Sequence, residues 1–120
     1  MGATAIVEDV SKVAPVDPAK AKTLPRMTKY EFDTLIGLRA MHLSRGAPAL
    51  VDLPPGFKIQ SNIEWRRVAI RELREGRMPY MVRRPLPNGE VEFWRIQDLD
   101  LVAVESLLED DSDVSRPAAA

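Results

Sequence analysis

Apolar positions recur at three- and four-residue spacing through the middle of the chain and change to a shorter period near residue 80, so helices precede strands. Phe32, Leu35, Ile36, Ala40 and Leu43 fall on one side of a helix predicted from about Lys29 to Arg45, with Glu31, Asp33, Arg39 and Arg45 largely elsewhere. Thr28 followed three residues later by Glu31 is a capping box, in which each side chain satisfies a free backbone N–H at the helix start. Gly46 with Pro48 ends this helix. Ser61 and Glu64 repeat the capping spacing and open a second helix that runs through about Glu75, with Gly76 as its cap and Pro79 shortly beyond. Trp65, Val68, Ala69 and Leu73 make its apolar side, while Arg66, Arg67, Arg71 and Arg74 make the remainder basic.

The connections complete an α+β pattern. Residues 47–53 are apolar and compatible with extended backbone, and Pro54-Pro55-Gly56 forces a loop to about Gln60. Residues 80–84 and 90–95 flank Pro85-Leu86-Pro87-Asn88-Gly89, and Asn-Gly between strand-like runs predicts a β-hairpin because both residues tolerate positive φ. Residues 96–108 leave strand and helix open: Leu99, Leu101 and Val102 suit either, whereas Val104, Leu107 and Leu108 favour a short helix. Pro15, Pro18 and Pro25 interrupt residues 1–26, which read as a flexible tail, and residues 109–120 read as an acidic, then Ala/Pro-rich, disordered tail. A small domain of two main helices, a hairpin and a short C-terminal element therefore occupies residues 27–108 between disordered tails.

Composition narrows the chemistry. A chain of 120 residues with ten prolines has room for one small core, of the size that a partner readily completes. It has no cysteine and one histidine, His42, which removes disulfides, thiolate nucleophiles and the usual zinc ligand sets. No apolar run approaches the roughly 20 residues that cross a bilayer, and the N-terminus lacks a secretory pattern, so the expectation is a soluble intracellular protein. The net charge of -1 conceals polarity along the chain, with eight arginines against four glutamates over residues 66–95 and one arginine against seven acids over 96–120. No Gly-rich phosphate loop and no paired carboxylates are present, so no catalytic, metal-ligating or cofactor-binding residue is assigned.

Met27-Thr28-Lys29-Tyr30-Glu31, Gly37, Arg39-Ala40 and Ala47-Pro48 together resemble the first-helix signature of the omega-like subunit of multisubunit RNA polymerases. The relatives in question are bacterial omega, archaeal subunit K and the small subunit common to eukaryotic nuclear polymerases. The pattern resumes in order with Ala69-Ile70, Glu72-Leu73, Arg77, Pro79, Arg83-Arg84, Leu86-Pro87-Asn88-Gly89, Glu92, Trp94 and Leu99, similar to the eukaryotic and archaeal members. The match covers about Leu24 to Leu101. The resemblance implies a non-catalytic subunit that clasps the C-terminal region of the polymerase's largest subunit, contacts neighbouring subunits, and meets DNA only indirectly. It implies neither a membrane nor a small-molecule substrate. The residues carried over as fold or interface positions are Thr28, Lys29, Tyr30, Glu31, Arg39, Pro48, Glu72, Pro79, Arg83, Arg84, Gly89 and Trp94. Expected localisation follows the polymerase: the nucleus if eukaryotic, the virion or host cell if viral, the cytoplasm if archaeal.

The sequence departs from that pattern at the loop over residues 54–63, at Asn88 in place of Asp, and in the tails. Residues 1–26 lack the long acidic arm through which eukaryotic members recruit transcription factors, and acidity lies at the C-terminus instead. These departures point to a divergent lineage such as a protist or a large DNA virus. Three rival readings follow from the residues: a free-standing nucleic-acid-binding module on the basic helix 65–77, a small enzyme, and recruitment of basic factors by the acidic 105–113 segment. Interleaved glutamates favour ion pairing over phosphate binding for the arginines, with Arg84 and its neighbours meeting acids on a partner. Trp65 and Trp94 read as core or interface anchors, Glu72 as an ion-pairing residue, and Leu38 and Met41 as partner-facing candidates.

Overall fold

The computed structural model describes residues 5–53 and 62–111, with the side chains of residues 62, 63 and 109–111 excepted. The Ser61 cap, the loop over residues 54–60 and residues 112–120 of the predicted C-terminal tail lie outside the described residues.

Helix α1 spans Lys29–Ser44 and begins with both halves of the capping box, Glu31 N donating to Thr28 Oγ1 (3.1 Å) and Thr28 N donating to Glu31 Oε1 (3.0 Å). It ends where Gly46 takes φ +104°, with Ala47 N donating to the His42 carbonyl and Gly46 N to that of Leu43, the paired bonds of a Schellman motif. Helix α2 spans Asn62–Arg74 and ends in the same way at Gly76 (φ +69°), with Arg77 N on the Glu72 carbonyl. The two helices pack against each other through Leu35, Ile36, Leu43, Val68, Ala69 and Leu73, all buried in one core with Phe32, Met27 and Trp94. Trp65 is half-buried against that core, while Met41 is exposed and Leu38 half-buried.

Strands β2 (Met81–Pro85) and β3 (Val91–Arg95) form the expected antiparallel hairpin, with Val82 opposite Trp94 and Arg84 opposite Glu92. Only Gly89 adopts positive φ (+89°) in its turn. Gly89 N donates to the Leu86 carbonyl and Leu86 N to that of Glu90, so the connection is a type I turn followed by a left-handed glycine, with Asn88 in an ordinary conformation capping Glu90 N. Residues 47–53 form no regular element. The open question over 96–108 resolves into short 3-10 turns at Ile96–Asp98 and Val102–Val104, a single parallel bridge between Arg26 and Asp100, and helix α3 over Glu105–Asp111. Val104 and Leu108 are buried, and α3 packs on α2. Those two contacts carry helical structure past residue 108, into the segment read as tail.

The reading of residues 1–26 as a flexible tail needs correction over its described part. Strand β1 (Ala5–Val7) pairs antiparallel with β2, giving sheet order β1-β2-β3. Farther along, Val16 N donates to the Phe93 carbonyl, and Pro25 and Met27 exchange backbone hydrogen bonds with Asp100. Pro15, Pro18 and Pro25 break an α-helix but not extended backbone, and the hairpin supplies the partners that the segment cannot supply for itself.

Candidate functional site

Two charged residues of the first-helix motif, which a periodicity argument places on the solvent side, are drawn into the core. Glu31, in the first turn of α1, and Arg39, in its third, are 1% and 4% exposed. A buried charge is tolerated only when paired and hydrogen-bonded, and each of these is the centre of a hub.

The first hub joins the start of α1 to β2. Arg84 sets its guanidinium side-on against Glu31, Nε to Oε2 and Nη2 to Oε1, both at 2.8 Å. Its remaining N–H groups donate to the Arg26 carbonyl (2.6 Å), the Leu24 carbonyl and Thr23 Oγ1, and its Cζ lies 5.4 Å from the centroid of the Trp94 ring. Trp94, fully buried, donates Nε1–H to Thr23 Oγ1 at 2.9 Å. Glu92 accepts from Lys22 N (2.6 Å), Thr23 N (3.2 Å) and the Thr23 hydroxyl. Burial pushes the Glu31 carboxyl up, but the Arg84 and Thr28 donors outweigh it and hold the group below its ordinary value of 4.5. Glu92 is likewise pushed up by burial and brought below 4.5 by the Thr23 hydroxyl and the two backbone N–H donors. Arg84 therefore pairs within the chain, against the expectation that it meets an acid on a partner.

The second hub joins α1, α2 and the connection between them. Arg39 donates Nε–H to Glu72 Oε1 (2.7 Å) and Nη2–H to Glu72 Oε2 (2.8 Å) and to the Pro48 carbonyl (2.9 Å), while Leu50 N donates to Glu72 Oε2 (2.8 Å). The Glu72 hydrogen bonds raise the Arg39 guanidinium still further above its ordinary range. Glu72 is an ion-pairing residue, as its setting among arginines suggests, but with Arg39 rather than a neighbour on its own helix. Arg39 also approaches the buried Tyr80 hydroxyl (3.4 Å), which touches His42 Nδ1, and His42 Nε2 lies 2.9 Å from Glu8. With Nε2 carrying its proton, His42 donates to Glu8 and accepts from Tyr80, which accepts from Arg39, so every group in the relay is satisfied. Sequence reasoning missed Tyr80, Glu8 and Thr23 because their partners lie 34 or more residues away.

The candidate residues thus divide. Glu31, Arg39, Glu72, Arg84 and Trp94 are buried; Thr28 caps α1, Pro48 supplies a carbonyl and Gly89 makes the turn. Lys29, Tyr30 and Pro79 are exposed and Arg83 half-exposed. Beside the first hub lies a groove of about 610 Å³ whose walls include Lys22, Leu24, Arg26, Met27, Pro85 and Ala103, with Leu24 71% exposed at its rim. Among the described residues no group of three or more His, Cys, Asp or Glu is placed to hold a metal ion, and no helix is long and apolar enough to cross a membrane.

The structure is a small α+β domain in which buried ion pairs lock α1 to the hairpin and to α2, and a few motif residues face outward. No family model matches the chain. Among characterised proteins, the DNA-directed RNA polymerases I, II, and III subunit RPABC2 of Schizosaccharomyces pombe is 40% identical over 102 residues, covering 80% of this chain and 68% of the relative. The subunit of the same name in Saccharomyces cerevisiae is 39% identical over 77 residues, 64% of this chain and 46% of the relative. The DNA-directed RNA polymerases II and V subunit 6B of Arabidopsis thaliana is 34% identical over 92 residues, 77% of this chain and 59% of the relative. The chain belongs to the family of these RPABC2 subunits, the omega-like small subunits shared by eukaryotic RNA polymerases I, II and III. It spans between about half and two thirds of the length of the relatives described.

Proposed function

We propose that the chain is a non-catalytic subunit of a DNA-directed RNA polymerase, which holds the C-terminal region of the largest subunit and stabilises its assembly with the neighbouring subunits. The observation that carries this reading is the 40% identity to a polymerase subunit across 80% of the chain. The division of the motif residues supports it: the buried ion pairs account for a rigid body, and Lys29, Tyr30, Pro79 and Arg83 remain for contact with a partner. Binding only to the folded partner stabilises that partner by mass action, which is all that an assembly subunit requires. In a eukaryotic cell the site of action is the nucleus, where such polymerases work.

A free-standing nucleic-acid-binding role is not favoured, because the relatives of the chain are polymerase subunits. On the basic helix Arg71 is engaged by Glu75 and the Asp52 carbonyl, and beyond it Arg84 meets Glu31 and Arg95 meets Asp98. The test is affinity purification of the tagged chain from its native cell or virus. Stoichiometric recovery of the polymerase's largest subunit is expected, and loss of that recovery in a Tyr30→Ala, Lys29→Ala double variant of wild-type stability would assign the exposed pair to the interface.

A further inference from the structure

The N-terminal segment is held in two contrasting ways. From Lys22 to Met27 it is clamped: Arg84 gathers the Leu24 and Arg26 carbonyls, Glu92 gathers the Lys22 and Thr23 N–H groups, and Met27 is fully buried. From Ala5 to Glu8 the hold is slight. Strand β1 has three residues, none of them buried, and covers Met81, Val82 and Arg83 of the five-residue β2. Ile6 packs against the margin of the core, and Glu8, with its side chain 60% exposed, reaches His42.

Beneath this light cover lies a surface that needs covering. Met81 and Val82 are 6% and 0% exposed, and without β1 their strand would be an apolar sheet edge with unpaired N–H and C=O groups. Such an edge accepts any extended chain that matches its side-chain pattern, with the main chain supplying affinity and the pockets supplying selectivity. Here the pattern is definite. A replacing strand must place an aliphatic side chain where Ile6 meets the core and a carboxylate two residues later, where Glu8 meets His42. The ring of His42 is held ready for it by Tyr80 on its other nitrogen, and Tyr80 by Arg39.

We propose that β1 is a removable strap, which closes the edge of β2 in the free chain and gives way on assembly to an extended segment of a partner polymerase subunit with the pattern aliphatic-x-acid. The proposal rests on the polymerase reading, since that reading supplies the partner. In the free chain the strap withholds the edge from other strands until the right one arrives.

The chain has no cysteine, so a Val7→Cys, Met81→Cys pair, on residues directly opposite in the ladder, can lock the strap with one engineered disulfide. Polymerase reconstituted with the oxidised and reduced forms of this variant is compared, and hydrogen–deuterium exchange is followed at residues 5–7 and 81–83 of the wild-type chain, free and assembled. The expected result is incorporation reduced roughly tenfold by oxidation and restored by reduction, with residues 5–7 losing protection on assembly while 81–83 keep it. Equal incorporation of the two forms, or protection retained at residues 5–7 in the assembled enzyme, would overturn the strap while leaving the polymerase reading intact. Failure of the wild-type chain to enter the polymerase at all would instead remove the reading beneath it.

Discussion

At Glu31 two duties fall on one carboxylate: Oε1 completes the capping box of α1, and both oxygens receive the Arg84 guanidinium. Removing one member of such a pair strands a charge in the core, so Glu31→Ala and Arg84→Ala should each cost roughly 3–5 kcal/mol in denaturant unfolding. Replacing both with apolar residues often restores stability to a simple buried pair. It should not do so here, because the Leu24 and Arg26 carbonyls would still lose their donor. A double variant as stable as wild type would contradict the hub. The same carboxylates set the response to acid. Glu31 and Glu92 are held below 4.5 in the folded chain, so the unfolded chain takes up protons first as pH falls. Their contribution is complete above the ordinary value of 4.5 and is lost as pH drops below it. The denaturant midpoint should therefore fall as pH drops below about 4.5, and Glu31→Gln should flatten that slope.

Among the elements, helix ends and the hairpin turn depend on glycine in different ways. Gly89 has φ +89° with nothing within 4 Å of a built Cβ, so Gly89→Ala meets no clash and pays only for the left-handed backbone, about 1 kcal/mol. Gly37, exposed within α1, has ordinary φ and open space, so Gly37→Ala should raise stability by about 0.5–1 kcal/mol in thermal or denaturant unfolding. An increase in stability accompanied by weaker polymerase association would place Gly37 under a partner. Local signals made these elements legible in the sequence: the Thr28–Glu31 box, Gly46, Gly76 and the Asn88-Gly89 turn all act within five residues. The inward face of α1 was only partly legible. Hydrophobic spacing found Phe32, Leu35 and Ile36 but assigned Glu31 and Arg39 outward, because their burial depends on Arg84 and Glu72, 53 and 33 residues away. Strand β1 was invisible for the same reason, since three residues flanked by polar ones become a strand only when β2 offers its edge.

For the molecule as a whole, the likeness to polymerase subunits separates the rival readings. A nucleic-acid module on the basic helix requires free arginines and a steep fall of affinity with salt, about 0.9 log units per log unit of salt for each phosphate neutralised on duplex DNA. As a polymerase subunit rather than a nucleic-acid module, and with Arg71 of that helix engaged by Glu75, the isolated chain should bind duplex DNA weakly and with little salt dependence in fluorescence anisotropy. A slope corresponding to several phosphates would reopen that reading. The rival in which the acidic 105–113 segment recruits basic factors is tested by deleting residues 105–120, beside a parallel variant that ends after the buried Leu108. The central claim is association with the polymerase, and the most direct measurement is the stoichiometry of tagged chain to largest subunit in polymerase purified from the native source. The account predicts one copy of this chain for each largest subunit through successive salt washes. A polymerase of full subunit complement that lacks the chain would contradict it.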